Sequence, residues 1–537
     1  MKGKKVLAML LAVTTVFSLP ACKGKENGKE EEGGKKQEVT YTLNELGLPV
    51  VSEPITLTVM GSKHPIQGEW REMSLWKWLT EQTNITFEFN TPPADGYGDK
   101  KNLALGGDDL PDLFFGSGLS TADEMRYGMD QGLLIPLDTL LDEAPNIKKM
   151  FEENPDWQKS ITMSDGHFYS LTQDLVGFGL YRYSWINQQW LDNLGLSMPE
   201  TVDELYHVLK QFKTGDPNQN GQQDEIPLSF TNEMYDTLRS TILGAYGHLS
   251  GSFEEIDGEI VFAPTTEEYR EYVKFMHKLW SEGLIDQEAF SQTSQQQNAK
   301  GVDGKLGMFA YISDYVVVGT DIHKQYKVLN PLTSQYNSEK LSYMTFPLMA
   351  GAGAITHENK YPEITMRLLD WFYTETGALC LINGVEDQDW KRTEDGGMTF
   401  FVPEGMNKEE YRGGKITPDC GTTCPRYTRH AEEVIKGGAY ETNAPLEANT
   451  HNQVMETIAP FAKVPIPKLI FTEEEQNSIT TKSTDVSTYI TQTEARFIAG
   501  ELDIDKEWDK YVENLERMGV NDLKEVYEAA YSRYMAE

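Results

Sequence analysis

Apolar and polar positions follow two rhythms along this chain, and these divide it into strands and helices. Residues Ile55–Met60 (ITLTVM) alternate and are rich in β-branched side chains, which predicts a strand; residues 85–89 (ITFEF) predict a second. Between them, residues 68–82 have helical spacing, with Met73, Trp76 and Leu79 on one side. A turn-rich segment over 91–98 and a short helix come next. Residues 109–118 (DLPDLFFGSG) then read as a buried strand opening into a glycine-rich loop. This alternation predicts an α/β fold. Ligands in open α/β sheets sit beyond the carboxyl ends of strands, which makes Phe115, Gly116 and Ser117 candidate cleft residues. Later, 226–230 and 307–311 predict strands, and 265–283 an amphipathic helix on Tyr272, Phe275, Met276 and Leu279. The run 291–298 (SQTSQQQN) is polar throughout. Residues 345–356 (TFPLMAGAGAIT) predict a return crossing whose small residues suit a hinge, 364–374 a helix ending near Gly377, and the chain beyond about 425 is mainly helical.

The first residues follow a different pattern. Lys2, Lys4 and Lys5 precede an apolar run over 6–19, and Ala21 stands before Cys22. Charged start, apolar core and small residue form a secretory signal, and the run is shorter than the ~20 residues that span a bilayer. Ala21-Cys22 resembles the lipobox of bacterial lipoproteins, in which the new N-terminal cysteine carries the acyl chains. Residues 23–36 (KGKENGKEEEGGKK) offer nothing apolar to bury and read as a disordered spacer. A signal peptide over 1–21 and an acylated linker over 22–40 are expected, tethering the chain to the outer face of the cell membrane.

Composition narrows the picture. The chain has 537 residues, 39% hydrophobic and 25% charged, enough for more than one domain. A formal charge of −36 repels phosphate backbones and argues against nucleic acid as a partner. With Cys22 assigned to the anchor, Cys380, Cys420 and Cys424 remain. A Cys420–Cys424 disulfide is conceivable, but three cysteines make no framework, and Cys420, Cys424 and His430 lack a fourth zinc ligand at sensible spacing.

One constellation has sharp spacing. Asp216, Asn218 and Asn220 place side-chain oxygens at positions one, three and five, and Gly221 permits a turn at six, as in a calcium loop. Position twelve is Pro227 rather than glutamate, so Asp224 and Glu225 would complete the shell with Gln222. A structural Ca²⁺ is expected there; the alternative is a solvated Asn/Gly turn.

The order of several segments resembles the extracellular solute-binding proteins of sugar ABC importers, in particular their large Firmicutes lipoprotein branch. These segments are Pro111-Asp112, Leu134-Ile135-Pro136-Leu137-Asp138, Asp165-Gly166-His167-Phe168-Tyr169, and Trp185-Ile186-Asn187. Pro199-Glu200-Thr201 opens a helix in the same way, with Thr201 and Glu204 spaced as a capping box. Gly384-Val385-Glu386 with Trp390 also matches, although Asp387 stands where the family has a second glycine. Alginate-binding relatives carry a similar calcium loop. The resemblance implies a two-lobe, type II periplasmic-binding-protein-like α/β fold with a hinge and an interlobe cleft. Lobe 1 would comprise 41–172 and 346–424, and lobe 2 would comprise 173–345 and 425–537. It implies a monomeric, non-enzymatic receptor that delivers an oligosaccharide to ABC permease subunits in the membrane. From position and likeness, the expected ligand contacts are Trp70, Phe115, Trp185, Tyr311 and Trp390, with aromatic rings stacking on sugar faces. Tyr315 is a further aromatic at the same strand end, and Arg182 and Arg412 are candidates for a uronate, although so acidic a chain favours a neutral sugar. Rival readings are a secreted glycan-acting hydrolase, which needs a carboxylate pair, and a peptide-binding lipoprotein.

Overall fold

The computed structural model describes residues 50–428 and 445–536, apart from 108, 176–178, 181 and 395–397. The signal peptide, Cys22, the linker and His430 lie outside the described residues. In chain order the strands of the two main sheets are β1 (Ile55–Met60), β2 (Ile85–Asn90), β3 (Leu113–Phe115), β4 (Leu171–Asp174), β5 (Ser184–Asn187), β6 (Ile226–Ser229), β7 (Leu306–Ala310), β8 (Tyr326–Val328) and β9 (Leu348–Ile355). The first sheet has the order β2-β1-β3-β9-β4, with β1 parallel to β2 and β3, and β9 antiparallel to β3 and β4. The second has the order β8-β5-β7-β6, with β6 parallel to β7 and β5 antiparallel to both its neighbours.

Each sheet has its own core. Helix α1 (Ser74–Thr83) lays Trp76 against Phe87, Phe89 and Phe115, at ring separations of 4.9, 5.0 and 5.3 Å. Helices α2 (Val202–Thr214), α3 (Tyr235–Leu243), α4 (Glu267–Ser281) and α5 (Ser294–Val302) surround the second sheet. The C-terminal helices α6 (Glu473–Ile498), α7 (Ile504–Arg517) and α8 (Val520–Ala536) share this second core through Ile490, Phe497, Trp508 and Leu523. The capping box is formed: Thr201 accepts from the Glu204 N–H, and the Glu204 carboxylate accepts from the Thr201 N–H.

The described residues that lead out of the first sheet toward the second are sewn to one another. The Leu175 N–H donates to the Pro347 carbonyl at 2.7 Å, and Thr345 N–H to the Gly179 carbonyl at 2.8 Å. Both Asp174 carboxylate oxygens accept from Thr428, through its N–H and its hydroxyl, at 2.9 Å. The return crossing predicted over 345–356 is shorter than expected, because residues from Leu348 onward pair inside the first sheet.

Two segments differ from the sequence reading. The helix expected over 68–82 is a 3-10 turn (Trp70–Glu72) followed by α1, because Met73 is extended at ψ 142°. The polar run 291–298 enters α5, capped by a Thr293–Gln296 box. Cys380, Cys420 and Cys424 are buried free thiols.

Candidate functional site at the strand ends

At the carboxyl end of the first sheet, backbone fills the space where side chains would stand. β1 runs into Gly61, where a Cβ would lie 2.2 Å from the Phe115 carbonyl and 2.4 Å from the Trp70 ring. β3 runs into Gly116-Ser117-Gly118, and Leu119 N–H donates to the Gly351 carbonyl at 3.1 Å. Gly351 has φ +73°, and a Cβ there would sit 1.9 Å from the Leu119 carbonyl, so only glycine allows this approach. Gln67 holds the next layer, its amide donating to the carbonyls of Pro418 (2.6 Å) and Cys420 (2.9 Å) and to the Thr422 hydroxyl (2.8 Å). The Trp70 indole N–H in turn donates to Gln67 at 2.9 Å.

The matching end of the second sheet is richer in side-chain polarity. β6 ends at Ser229, whose hydroxyl donates to Asp286 at 3.0 Å and accepts from the Gln292 amide at 3.1 Å; that amide also donates to the Phe230 carbonyl at 2.7 Å. Lys300 anchors the group by donating to Asp286 and Gln292, both at 2.8 Å. Beside these, the Thr231 hydroxyl and the Gln297 carbonyl oxygen are buried with no hydrogen-bond partner among the described residues. Unpaired buried polar atoms are costly, and a hydroxylated ligand or water can satisfy them. β7 ends at half-buried Tyr311, followed by Ile312 with 46% of its surface exposed. Asp314 follows, wholly buried against His323 at 3.4 Å, with burial pushing its carboxyl up. Apolar exposure beside unpaired polar groups is the combination that holds sugars.

The predicted contacts divide between these ends. Trp70 is 1% exposed and stacks on Trp76 at 6.1 Å, meeting Phe115 edge-on at 6.3 Å. Trp185 is fully buried, and its indole N–H donates to the Tyr311 carbonyl at 3.0 Å. Trp390 stands apart, its indole N–H on the Gly384 carbonyl at 2.9 Å within a hairpin cluster. Trp70, Phe115, Trp185 and Trp390 therefore present no ring face to a ligand in this conformation; the first three form walls behind the strand ends, as large rings usually do, and Trp390 lies in its own cluster. Tyr311 does present surface, and Tyr315 follows two residues beyond Ser313. Arg182 lies 4.0 Å over the Tyr343 ring and donates to Ser240 at 3.1 Å, while Arg412 pairs with Glu409 at 2.7 Å. The buried glutamines on the 291–298 run went unread: their spacing looks like that of a solvated linker, and only β6 packing shows their direction.

The loop after α2 curls on itself. Asp216 and Gln219 take φ +48° and +58°, and Gly221 takes +73°. Asp216 accepts from the N–H groups of Asn220 and Gly221 at 3.1 Å, and Asn220 accepts from Gln222 N–H at 2.7 Å. Asp224 accepts from the Asn220 amide at 2.9 Å, which holds its pKa down, and it lies 3.5 Å from Lys305. One Glu225 oxygen is buried without a partner, and burial together with Asp224 and Asp216 raises its pKa. No three acidic, histidine or cysteine side chains among the described residues converge on one point. The donor chemistry nevertheless fits a hard cation: three mutually repelling carboxylates and two amides whose oxygens turn inward on rotation about one bond.

The chain is matched by the sequence model for bacterial extracellular solute-binding proteins over residues 64–379. It is 28% identical to the fructooligosaccharide ABC transporter substrate-binding protein FusA of Streptococcus pneumoniae, over 100% of this chain and 99% of that one. The structure of FusA in complex with kestose aligns with a TM-score of 0.66 at 27% identity, covering 90% of this chain and 100% of that chain. A FusA EF-hand mutant in complex with fructo-nystose aligns at 0.65 and 26% identity, with the same coverage. With a match across more than half its length, this chain belongs to the family of bacterial extracellular solute-binding proteins.

Proposed function

We propose that the protein captures an oligosaccharide between its two lobes and delivers it, unaltered, to an ABC permease. The observation that carries this reading is the end-to-end likeness to kestose-bound FusA. The partner-less Thr231 and Gln297 beside half-exposed Tyr311 and Ile312 support it, since a chain of hydroxyls satisfies the first pair and a sugar face covers the second. The lobe boundaries fall at the crossings, 175–183, 344–347 and 425–428, and the C-terminal helices go with the second lobe, whose core they share. Tyr311 is the aromatic contact we favour. The loop over 216–225 holds a structural Ca²⁺ through Asp216, Asn218, Asn220, the Gln222 backbone, Asp224 and Glu225; the ion neutralises crowded carboxylates and pins β6 to α2. Cys22 anchors the monomeric receptor to the membrane through its acyl chains. Isothermal titration of the mature protein with kestose, nystose and unrelated glycans tests the reading. Saturable heat with a fructooligosaccharide, and no new reducing ends, is expected. Release of reducing sugar identifies a hydrolase instead, and binding of peptides but no glycan identifies the other rival.

A further inference from the structure

Residues 462–472 start and end on the second lobe and touch the first between. Ala462 pairs with Ser342, and the Pro465 carbonyl accepts from Glu255 N–H at 2.7 Å, both in the second lobe. Phe471 lies 5.1 Å from the Tyr527 ring, which stacks on Phe253 at 4.4 Å, again in the second lobe. Arg533 ties the segment to α8, donating to Glu475 at 2.9 Å and to the Ile470 carbonyl at 3.3 Å. Ile470, by contrast, packs on a first-lobe cluster that contains Met60, Met125, Tyr127 and Tyr169. Tyr534 joins it there, its carbonyl accepting from Lys159 at 3.4 Å. Next to Met125 of that cluster, Glu124 is wholly buried, and neither of its carboxylate oxygens has a hydrogen-bond partner among the described residues.

We propose that residues 465–472, with Ile470 and Tyr534 seated on the first-lobe cluster beside Glu124, form a brace that fixes the angle between the lobes and must be released for the lobes to rotate, and that buried Glu124 makes its strength depend on pH. The inference needs two lobes but no particular ligand. Burial raises the Glu124 pKa to about 7; nearby Ser170, too poorly placed for a full hydrogen bond, and then Lys468 oppose the rise more weakly, and Asp123 on the same turn adds to it. Asp123 is itself paired with Lys101. Burial lowers the Lys468 pKa, and Glu124 opposes this. A carboxyl whose pKa is raised in the braced state favours that state when protonated. The brace is therefore firmest below the ordinary carboxylate range and weakens as pH rises through 7.

The test is pulsed electron-spin distance measurement on the mature ligand-free chain. Labels go on Glu153→Cys and Asp303→Cys, with Cys22→Ser; the other three cysteines are buried. If release restores an ordinary carboxyl, the released-to-braced ratio rises by up to about 25-fold between pH 5.5 and pH 8. Glu124→Gln removes that response and holds the distribution, at both values, at least as braced as the parent at pH 5.5. Ile470→Ala with Tyr534→Ala, which touch neither sheet's hydrogen bonds, shifts both distributions toward release. Distances that do not change with pH, a pH response surviving in Glu124→Gln, or no shift in the Ile470/Tyr534 variant would each overturn the brace. Because no sugar is added, failure here is distinct from failure to bind an oligosaccharide.

Discussion

The two lobes reach similar sheets through unlike interiors. The first lobe's centre is ring on ring: Trp70, Trp76, Phe87, Phe89 and Phe115, and among the described residues the Trp70 indole alone of these rings makes a side-chain hydrogen bond. The second lobe buries an ion pair, Arg239 Nη2 to Glu494 Oε2 at 2.7 Å, wrapped by Tyr235 and Tyr269, whose hydroxyls donate to Glu494 at 2.7 and 3.0 Å. Burial pushes both tyrosines well up, which keeps them neutral donors. Close-packed rings tolerate changes of charge state but not of volume, whereas a satisfied buried pair tolerates neither loss of a partner nor a gap in its hydroxyl shell. Glu494 lies on α6, so the pair also rivets the C-terminal helices, and with them the brace, to the second sheet's core.

Arg239→Met should therefore have the largest effect. It leaves Glu494 buried and unpaired and should cost ~3–5 kcal/mol, most of it regained in Arg239→Met with Glu494→Leu. Calorimetric unfolding of the single and double variants checks this. A single variant that melts with the parent would erase the contrast between the lobes.

Calcium removal comes next and should again act on the second lobe alone. At a free concentration 100-fold above its dissociation constant, the ion would contribute about 2.7 kcal/mol. Chelation should lower the melting temperature, and Asp216→Asn with Asp224→Asn should lose most of that response. A chelator with no effect on melting would leave the loop a self-bonded turn.

The strands with strong alternation and the helix cap were legible because their signals are local, whereas β4, β5 and β8 carried no such signal. β1 falls where alternation put it, β2 extends the predicted 85–89 by one residue, and the capping box on α2 needs only four consecutive residues. The direction of the large rings was not legible. Trp70 turns inward because its indole N–H goes to Gln67, three residues away, which is itself held by residues 418–422 from some 350 residues along the chain. Gly351 and Leu119 are likewise neighbours only after folding. A stacking platform and a core ring are the same residue type until such distant partners are known, and for that reason Trp70, Phe115 and Trp185 lie behind the strand ends and Trp390 in a separate hairpin cluster.

Gly61→Ala probes the tight first-lobe end. The added methyl meets the Phe115 carbonyl and the Trp70 ring, so overpacking should cost about 1–3 kcal/mol. Displacing the β1 end should also weaken oligosaccharide binding. Gly166→Ala is the control: its Cβ meets nothing within 4 Å, so only backbone strain at φ +87° remains. Equal losses in melting and in affinity for both variants would mean that close approach at the first-lobe end has no special part in binding.

Tyr311→Ala should give the smallest change in stability and the cleanest change in function. The ring is half-buried, no side-chain hydrogen bond of its own holds it among the described residues, and its carbonyl already serves the Trp185 indole through the backbone, which the substitution keeps. Melting should stay within ~0.5 kcal/mol of the parent. Loss of one stacking face should weaken oligosaccharide binding by about tenfold, or 1.4 kcal/mol, while Tyr311→Phe should retain most of the affinity because the face, rather than the hydroxyl, makes the contact. Trp185→Phe offers the opposite expectation: a buried wall is loosened, so stability falls first and affinity follows only as far as Tyr311 shifts. If titration finds Tyr311→Ala unchanged in affinity while Trp185→Phe loses binding without losing stability, the ring that meets the sugar is the buried one. The lobes must then open further than this conformation to expose it.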